Sequence, residues 1–302
     1  MDQIRGLIGI LGPTASGKTS LAVALAKKIN GAIISADSRQ IFKGMDIGTG
    51  KDLDEYAGVN YYLIDIREAG DEYNVAHFQD DFQEALLTIR ETQKTPILCG
   101  GTGMYMQSVL QGYVYTAIPR NDELRTKLLD KGTDELEKLF LSLQTTVYFQ
   151  ADISTKKRLI RAIEIAFWLK ENTDTALISP QKIEARVFGI ALPLAERRIR
   201  ITNRLNKRLE NGLIVEVERL LAQGVSADKL KFYGLEYRYV TAYLLGELAY
   251  EQMFIKLNTE IHRFAKRQMT YFRKMEKDGI VIHWLDGMKG EEENCKEIMK
   301  LL

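Results

Sequence analysis

The sequence predicts an α/β protein, a doubly wound parallel-sheet core interrupted by an all-helical insertion. Three observations carry that expectation. A glycine-rich loop near the N-terminus sits between an apolar strand and an amphipathic helix, strand and helix signals alternate over about the first 112 residues, and only helical signals occur from Pro119 to about Arg186. A chain of 302 residues can bury a large core and points to two domains, or to one domain with a large insertion.

The first strand is Leu7-Ile8-Gly9-Ile10-Leu11, and the first helix carries the stripe Leu21, Leu25 and Ile29, flanked by Ala22 and Ala26. Asn30-Gly31 is its C-terminal cap signal. Between strand and helix, Gly12-Pro13-Thr14-Ala15-Ser16-Gly17-Lys18-Thr19 fits G-x-x-x-x-G-K-[ST] at every position, which makes the core P-loop NTPase-like. In this arrangement the loop N–H groups and the positive end of the helix dipole converge on one polyphosphate. Lys18 adds a mobile positive charge, and the Thr19 hydroxyl is the candidate ligand for Mg2+. The loop alone does not say which polyphosphate it holds; ATP and other nucleotides are its common ligands.

Ala32-Ile33-Ile34-Ser35 is the next strand, followed by Ala36-Asp37-Ser38-Arg39-Gln40. The carboxyl ends of parallel strands border the ligand crevice, so Asp37 either faces the loop's ligand or closes the strand as an Asx-turn. Spacing leaves both open. Met45-Asp46-Ile47-Gly48-Thr49-Gly50-Lys51 reads as a polar glycine loop, and Tyr61-Tyr62-Leu63-Ile64-Asp65-Ile66 as a strand whose Asp65 resembles a Walker-B carboxylate. Phe78, Phe82, Ala85, Leu86 and Ile89 mark a helix. Pro96-Ile97-Leu98-Cys99 marks a strand that opens into a second glycine loop, Gly100-Gly101-Thr102-Gly103, so Thr102 is a further candidate for the crevice.

The insertion begins with Asn121 as a helix N-cap ahead of Leu124 and Leu128, continues through Leu136, Leu139, Phe140 and Leu143, then Leu159, Ala162, Ile163, Ala166 and Phe167, and closes in a loop from Asn172 to Pro180. Val187-Phe188-Gly189-Ile190-Ala191 returns as a strand. The expected divisions are 1–117 and 187–302 for the core and 118–186 for the insertion. In the following helix Ile201, Leu205 and Leu209 face inward while Arg200, Arg204 and Arg208 line another side. Like charges at that spacing disfavour an isolated helix by a few tenths of a kcal/mol, so an anion facing them is the natural complement. Gly212 and Gly224 bracket one more helix. A long helix from Tyr250 to Lys277 directs Phe254, Leu257, Ile261, Phe264, Phe272 and Met275 inward, and Ile280-Val281-Ile282-His283-Trp284-Leu285 ends the core as a strand.

Hydrophobic content of 45% with 27% charged residues fits a soluble globular protein. Cys99 and Cys295 lie far apart in sequence and outside any C-x-x-C pair, which excludes a disulfide scaffold or zinc finger as the organising feature and fits a reducing cytosol. His77, His262 and His283 form no metal-ligand pattern. Met1-Asp2-Gln3-Ile4-Arg5 runs into the first strand without a targeting signal, and no segment reads as a membrane span, so a cytoplasmic monomer is expected. Net charge is only +1, yet the basic residues cluster at Lys156 to Arg161, Arg197 to Arg208 and Arg263 to Lys274. Such clusters are either solvated helix faces or a phosphate-binding surface.

From the residues alone, a phosphoryl-transfer enzyme is the common owner of such a loop. Several stretches together point elsewhere: the loop at Gly12 to Thr19, Ser35 to Thr49 with its aspartate, Leu63-Ile64-Asp65-Ile66, Gly100-Gly101-Thr102-Gly103-Met104-Tyr105, Lys157 to Glu164, Arg200-Ile201-Thr202-Asn203-Arg204-Leu205, Gly212 to Val217, and Ala265-Lys266-Arg267-Gln268-Met269-Thr270. In this order and spacing they resemble the tRNA dimethylallyltransferase (isopentenyltransferase) family over nearly the whole chain.

That resemblance implies transfer of a dimethylallyl group from dimethylallyl diphosphate to the exocyclic amine of the adenosine immediately 3′ of a tRNA anticodon. Asp37 matches the family's catalytic base, which suits an amine whose lone pair is delocalised into the ring. Gly12 to Thr19 together with Arg200 match the diphosphate site, where charge develops on the leaving group. Thr102 matches a residue near the reacting base. By the same resemblance Asp37, Ser38, Arg39, Gln40, Thr102, Arg125, Lys157, Arg158, Leu159, Ile160, Arg161, Tyr237, Arg238, Lys266 and Arg267 contact the tRNA anticodon stem-loop. The target base must leave its stack to enter the crevice, at a cost of a few kcal/mol that backbone contacts offset. Phe232-Tyr233-Gly234-Leu235-Glu236-Tyr237-Arg238 departs from the family, which carries a compact Ile-Gly-Tyr-[Arg/Lys] element there. The rival readings are an adenylate isopentenyltransferase acting on a free nucleotide, a P-loop small-molecule kinase, and a nucleotide-gated RNA-binding module.

Overall fold

A computed structural model describes residues 6–143, 151–172 and 183–302. The reading of Met1 to Arg5 and that of the loop at 173–180 lie outside them. Six strands, β1 (Leu7–Leu11), β2 (Gly31–Ser35), β3 (Tyr61–Tyr62), β4 (Thr95–Gly100), β5 (Ala185–Ala191) and β6 (Ile282–Asp286), form one sheet in the order β3-β2-β4-β1-β5-β6. Every pairing is parallel. Parallel neighbours require crossovers, which is why strand and helix alternate in the chain. The helices are α1 (Lys18–Ile29), α2 (Val75–Glu91), α3 (Gly103–Leu110), α4 (Asp122–Leu129), α5 (Thr133–Ser142), α6 (Lys156–Glu171), α7 (Leu194–Glu210), α8 (Leu213–Ala222), α9 (Ala227–Tyr233), α10 (Leu235–Leu244), α11 (Tyr250–Lys277) and α12 (Glu291–Leu301).

Alternation along β1 shows how both sheet faces are covered. Leu7 and Leu11 pack with Phe78, Phe82, Tyr105 and Phe272, from α2, α3 and α11. Ile8 and Ile10 pack on the opposite face with Leu21, Leu25, Cys295 and Ile298, from α1 and α12. A strand buried on both faces is apolar throughout, so β1 reads as a continuous hydrophobic run. Each fully buried side chain of the size of Phe78 or Phe82 contributes about 1.5–3 kcal/mol. A third cluster joins α7, α8, α9, α10 and α11 to Ile41, Phe42 and Met45, which anchors the segment after β2.

The chain divides into two compact units, Met1–Gln111 with Lys182–Leu302, and Gly112–Gln181. These limits differ by a few residues from 118–186. Ala185 and Arg186 already pair with Leu7 and Ile8, so the sheet resumes before Val187. Within the smaller unit Asn121 caps α4 by accepting the Leu124 N–H at 2.9 Å, and Leu128, Leu136, Leu159 and Ile163 form a separate core.

Two sequence expectations need correction. The strand expected over Tyr61 to Ile66 stops at Tyr62, because Leu63 and Asp65 adopt left-handed φ values of 61° and 57°. The buried stripe of α11 is Met253, Leu257, Ile261, Ala265, Gln268, Phe272 and Met275. Phe264 is exposed, with the Arg267 guanidinium over its ring, and a glutamine occupies a position where periodicity alone predicts an apolar residue.

Candidate active site

Pairing of Leu11 with Gly100 and of Ser35 with Cys99 brings the carboxyl ends of β1, β2 and β4 together. The glycine loop, the Asp37 turn and the second glycine loop therefore open on one edge of the sheet. Ala15 and Gly17 take positive φ, 60° and 84°, which folds the loop over the start of α1. A Cβ on Gly12 would lie 2.5 Å from the Ser16 hydroxyl oxygen. That hydroxyl is buried without a protein partner, an orphaned polar atom inside a loop whose amides suit an anion. Burial lowers the Lys18 pKa, reinforced by Arg204 and Arg208 and opposed by Asp37. The Cys99 thiol donates to the Lys18 carbonyl at 3.6 Å, and burial pushes it up to about 12, so it stays neutral beside the lysine.

Of the two readings that spacing left open, the Asx-turn forms. The Oδ1 of Asp37 accepts the Arg39 N–H at 3.0 Å, closing an Asx-turn, and its negative charge acts on Lys18. Thr102 staples this turn in place: its N–H donates to the Ala36 carbonyl at 3.1 Å, and its Oγ1 accepts the Ser38 N–H at 3.1 Å. Gly100 permits that approach, since a Cβ there would sit 2.2 Å from the Ala36 oxygen. Gln40 points inward, bonded to the Ser35 hydroxyl at 2.9 Å and the Gly50 carbonyl at 3.0 Å. The expected RNA contact from its side chain is therefore corrected to a structural role.

Gln268, which the sequence reading passed over as a site residue, ties the two glycine loops together. Its Oε1 accepts the Thr14 N–H at 2.9 Å, and its Nε2 donates to the Gly101 carbonyl at 3.0 Å. The available signal was a polar residue inside an apolar helical stripe. On α7, Arg204 reaches the Thr14 hydroxyl at 3.5 Å and pairs with Asp52 at 3.0 Å, while Arg208 pairs with Glu236 at 2.9 Å. Gly50, with φ 64°, leaves room for both; a Cβ would lie within 2.2 Å of each guanidinium. Arg200, expected at the diphosphate, instead pairs with Glu196 at 2.6 Å and approaches the Gly287 carbonyl at 3.4 Å. The residue of this helix that touches the loop is Arg204.

A buried carboxylate holds the 45–51 loop beneath those arginines. Glu216 accepts the N–H groups of Asp46, Ile47 and Gly48 at 2.8, 2.8 and 3.0 Å, and the Tyr237 hydroxyl at 2.7 Å. Tyr237 is 1% exposed, so its expected tRNA contact is corrected: the departing stretch uses Tyr237 to support Glu216 and Glu236 to pair Arg208. Asp65 is corrected too. Its carboxylate is bound by the buried Lys51 ammonium, which also meets Asp46 at 2.7 Å and the Phe42 carbonyl at 2.7 Å, so it is no Walker-B ligand. Among the described residues no group of three His, Cys, Asp or Glu side chains could hold a metal ion. No helix among them is long and apolar enough to cross a membrane.

Within the smaller unit, Leu159 and Ile160 are buried in its core and offer no side chain to RNA. Arg125 is bound to the buried Glu164 at 2.6 Å, and Arg161 donates to the carbonyls of Tyr115 and Ile118. Lys157, Arg158, Arg238, Lys266 and Arg267 are exposed.

The family model described as IPP transferase matches residues 40–275. A tRNA dimethylallyltransferase 1 of Porphyromonas gingivalis is 49% identical over 98% of this chain and 98% of its own length. A tRNA dimethylallyltransferase 2 of Bacteroides fragilis is 47% identical over 98% of this chain and 97% of its own length. The solved tRNA isopentenylpyrophosphate transferase of Bacillus halodurans superposes with a TM-score of 0.72 at 30% identity, covering 98% of this chain and 95% of that one. The family model matches most of the chain and these relatives match nearly all of its length: it belongs to the tRNA dimethylallyltransferase (IPP transferase) family of prenyl-transferring enzymes.

Proposed function

We propose that this enzyme transfers a dimethylallyl group from dimethylallyl diphosphate to N6 of the adenosine immediately 3′ of the anticodon in tRNA, releasing diphosphate. The observation that carries the proposal is the convergence of the glycine loop and the Asp37 turn at the carboxyl ends of β1, β2 and β4. Asp37 takes the proton lost by the amine as the new C–N bond forms. The diphosphate leaves into the loop, where amides, the Ser16 hydroxyl, Lys18 and Arg204 stabilise its growing charge. Thr102 holds the Asp37-Ser38 turn against the second glycine loop and so orients the base.

The donor set also fits magnesium carried with the diphosphate. Thr19 supplies one neutral hydroxyl at the head of α1, so phosphate oxygens and water would provide the remaining ligands. When bound, the ion neutralises charge on the departing group. Exposed Lys157, Arg158, Arg238, Lys266 and Arg267 are assigned to tRNA phosphates, together with the polar backbone of Ser38 and Arg39.

The direct test supplies the protein with dimethylallyl diphosphate, magnesium and unmodified tRNA, and examines the nucleosides by mass spectrometry. Prenylated adenosine at the position 3′ of the anticodon is expected. Its absence, or modification of AMP in preference to tRNA, overturns the proposal.

A further inference from the structure

The stretch that departs from the family pattern places one aromatic ring largely in solvent. Tyr233 at the end of α9 turns inward. Its hydroxyl accepts the Gly70 N–H at 2.6 Å, and its ring meets Phe42 with centroids 4.5 Å apart. Neighbouring positions on a helix point about 100° apart, so fixing Tyr233 inside directs Phe232 outward. Phe232 is 74% exposed, the largest exposure of any large hydrophobic side chain among the described residues.

Its ring neighbours Arg39 and, edge-on with centroids 6.4 Å apart, Tyr233. The Arg39 guanidinium lies over the ring, 5.6 Å from its centroid, and donates to the Phe232 carbonyl at 3.0 Å. Arg39 is itself anchored by its N–H to Asp37. Arg39 and Asp37 share one turn, so the guanidinium over this ring is carried by the same segment as the carboxylate. A scattered apolar residue on a surface needs no explanation, but a ring under a guanidinium that belongs to the Asp37 turn is a different case. An open aromatic face next to a guanidinium plane matches a single-stranded nucleobase, which stacks on such surfaces while its phosphate meets the positive charge.

We infer that Phe232, clamped by Arg39, is a stacking platform for an unpaired nucleobase flanking the target adenosine in the anticodon loop. The inference rests on the tRNA reading above. The platform would hold the neighbouring base after the target leaves the stack, and so favour loops with an extruded base over duplex RNA.

Phe232 is exposed, so Phe232→Ala leaves the core packing intact. Two anticodon stem-loop RNAs, each carrying 2-aminopurine on one side of the target adenosine, are titrated with the wild type, Phe232→Ala and Phe232→Tyr. Wild type and Phe232→Tyr are expected to quench one of the two labels on binding. Phe232→Ala should lose that quenching and bind about ten-fold or more weakly, while the KM for dimethylallyl diphosphate stays unchanged. Equal quenching and affinity in Phe232→Ala and wild type overturn the platform. Turnover is measured separately: prenylation by the wild type with no effect of Phe232→Ala on RNA binding rejects the platform and leaves the reaction standing. Phe232-dependent quenching without any prenylation rejects the reaction and leaves the platform standing.

Discussion

The Thr14 N–H of the phosphate loop is bound by Gln268, from the long helix near the other end of the chain, at 2.9 Å. The same side chain donates to Gly101, so one buried amide sets the spacing between the first glycine loop and the loop that carries Thr102. Gln268→Met fills similar volume and removes both bonds. Stability should fall by about 1–3 kcal/mol because the Thr14 N–H and Gly101 carbonyl lose their partner. A misplacement of about 1 Å can cost about 100-fold in rate, so kcat should fall far more than KM for tRNA rises. Steady-state kinetics on folded variant, with a denaturant melt, check both; unchanged kcat would show that the bridge is dispensable.

Asp37→Asn separates the turn that this residue closes from the proton acceptance proposed for it. The amide oxygen can still accept the Arg39 N–H, so the turn should survive, while proton removal is lost. Turnover is expected to drop about 100- to 10,000-fold with tRNA affinity within about two-fold of wild type. Single-turnover assays beside RNA-binding titrations distinguish this from a collapsed turn, which would weaken both.

Lys18 predicts a pH signature. Burial holds its pKa below the ordinary value of 10.5, and a diphosphate placed against it raises it again. Between the lowered value and the raised one, diphosphate binding should take up a proton, and affinity should weaken as pH rises through that window. Below the window the lysine is charged in both states, and the pH dependence from this residue vanishes. Calorimetry in buffers of different ionisation enthalpy measures the uptake, and Lys18→Arg should abolish it. The same shift contributes to folding: the unfolded chain binds more protons in the window between the lowered value and 10.5, so stability from this residue rises with pH there.

Tyr237→Phe tests the corrected role of the departing stretch. Loss of the hydroxyl removes one of four bonds to Glu216 and should cost about 1 kcal/mol in a urea melt. Affinity for the anticodon stem-loop should not change, because the side chain is 1% exposed. A selective loss of RNA affinity at unchanged stability would restore the tRNA contact that the resemblance implied.

Glu216→Gln is expected to be harsher. The carboxylate accepts three backbone N–H groups in addition to Tyr237, and an amide nitrogen cannot accept. About 3 kcal/mol of stability should disappear, and the 45–51 loop should exchange its amide protons faster in hydrogen-exchange measurements.

Much of this molecule is readable from residue order because the physics involved is local. A glycine loop between a strand and a helix, apolar runs at strand spacing and Asn121 ahead of its helix all express short-range constraints of backbone conformation and periodicity. The sequence by itself therefore determined the α/β core, the run of helices between its strands, and the glycine loop at the head of the first helix. Only the tertiary structure decided which partners their residues meet. Gln268 stands 254 residues from Thr14, Glu216 170 from Asp46, and Arg204 190 from the same loop threonine, and no periodicity encodes such pairings. Tyr237 and Arg238 are neighbours in sequence, yet one supports a buried carboxylate and the other faces solvent. Motif resemblance treated them alike; desolvation and hydrogen-bond satisfaction, which depend on what the folded chain brings alongside, separated them.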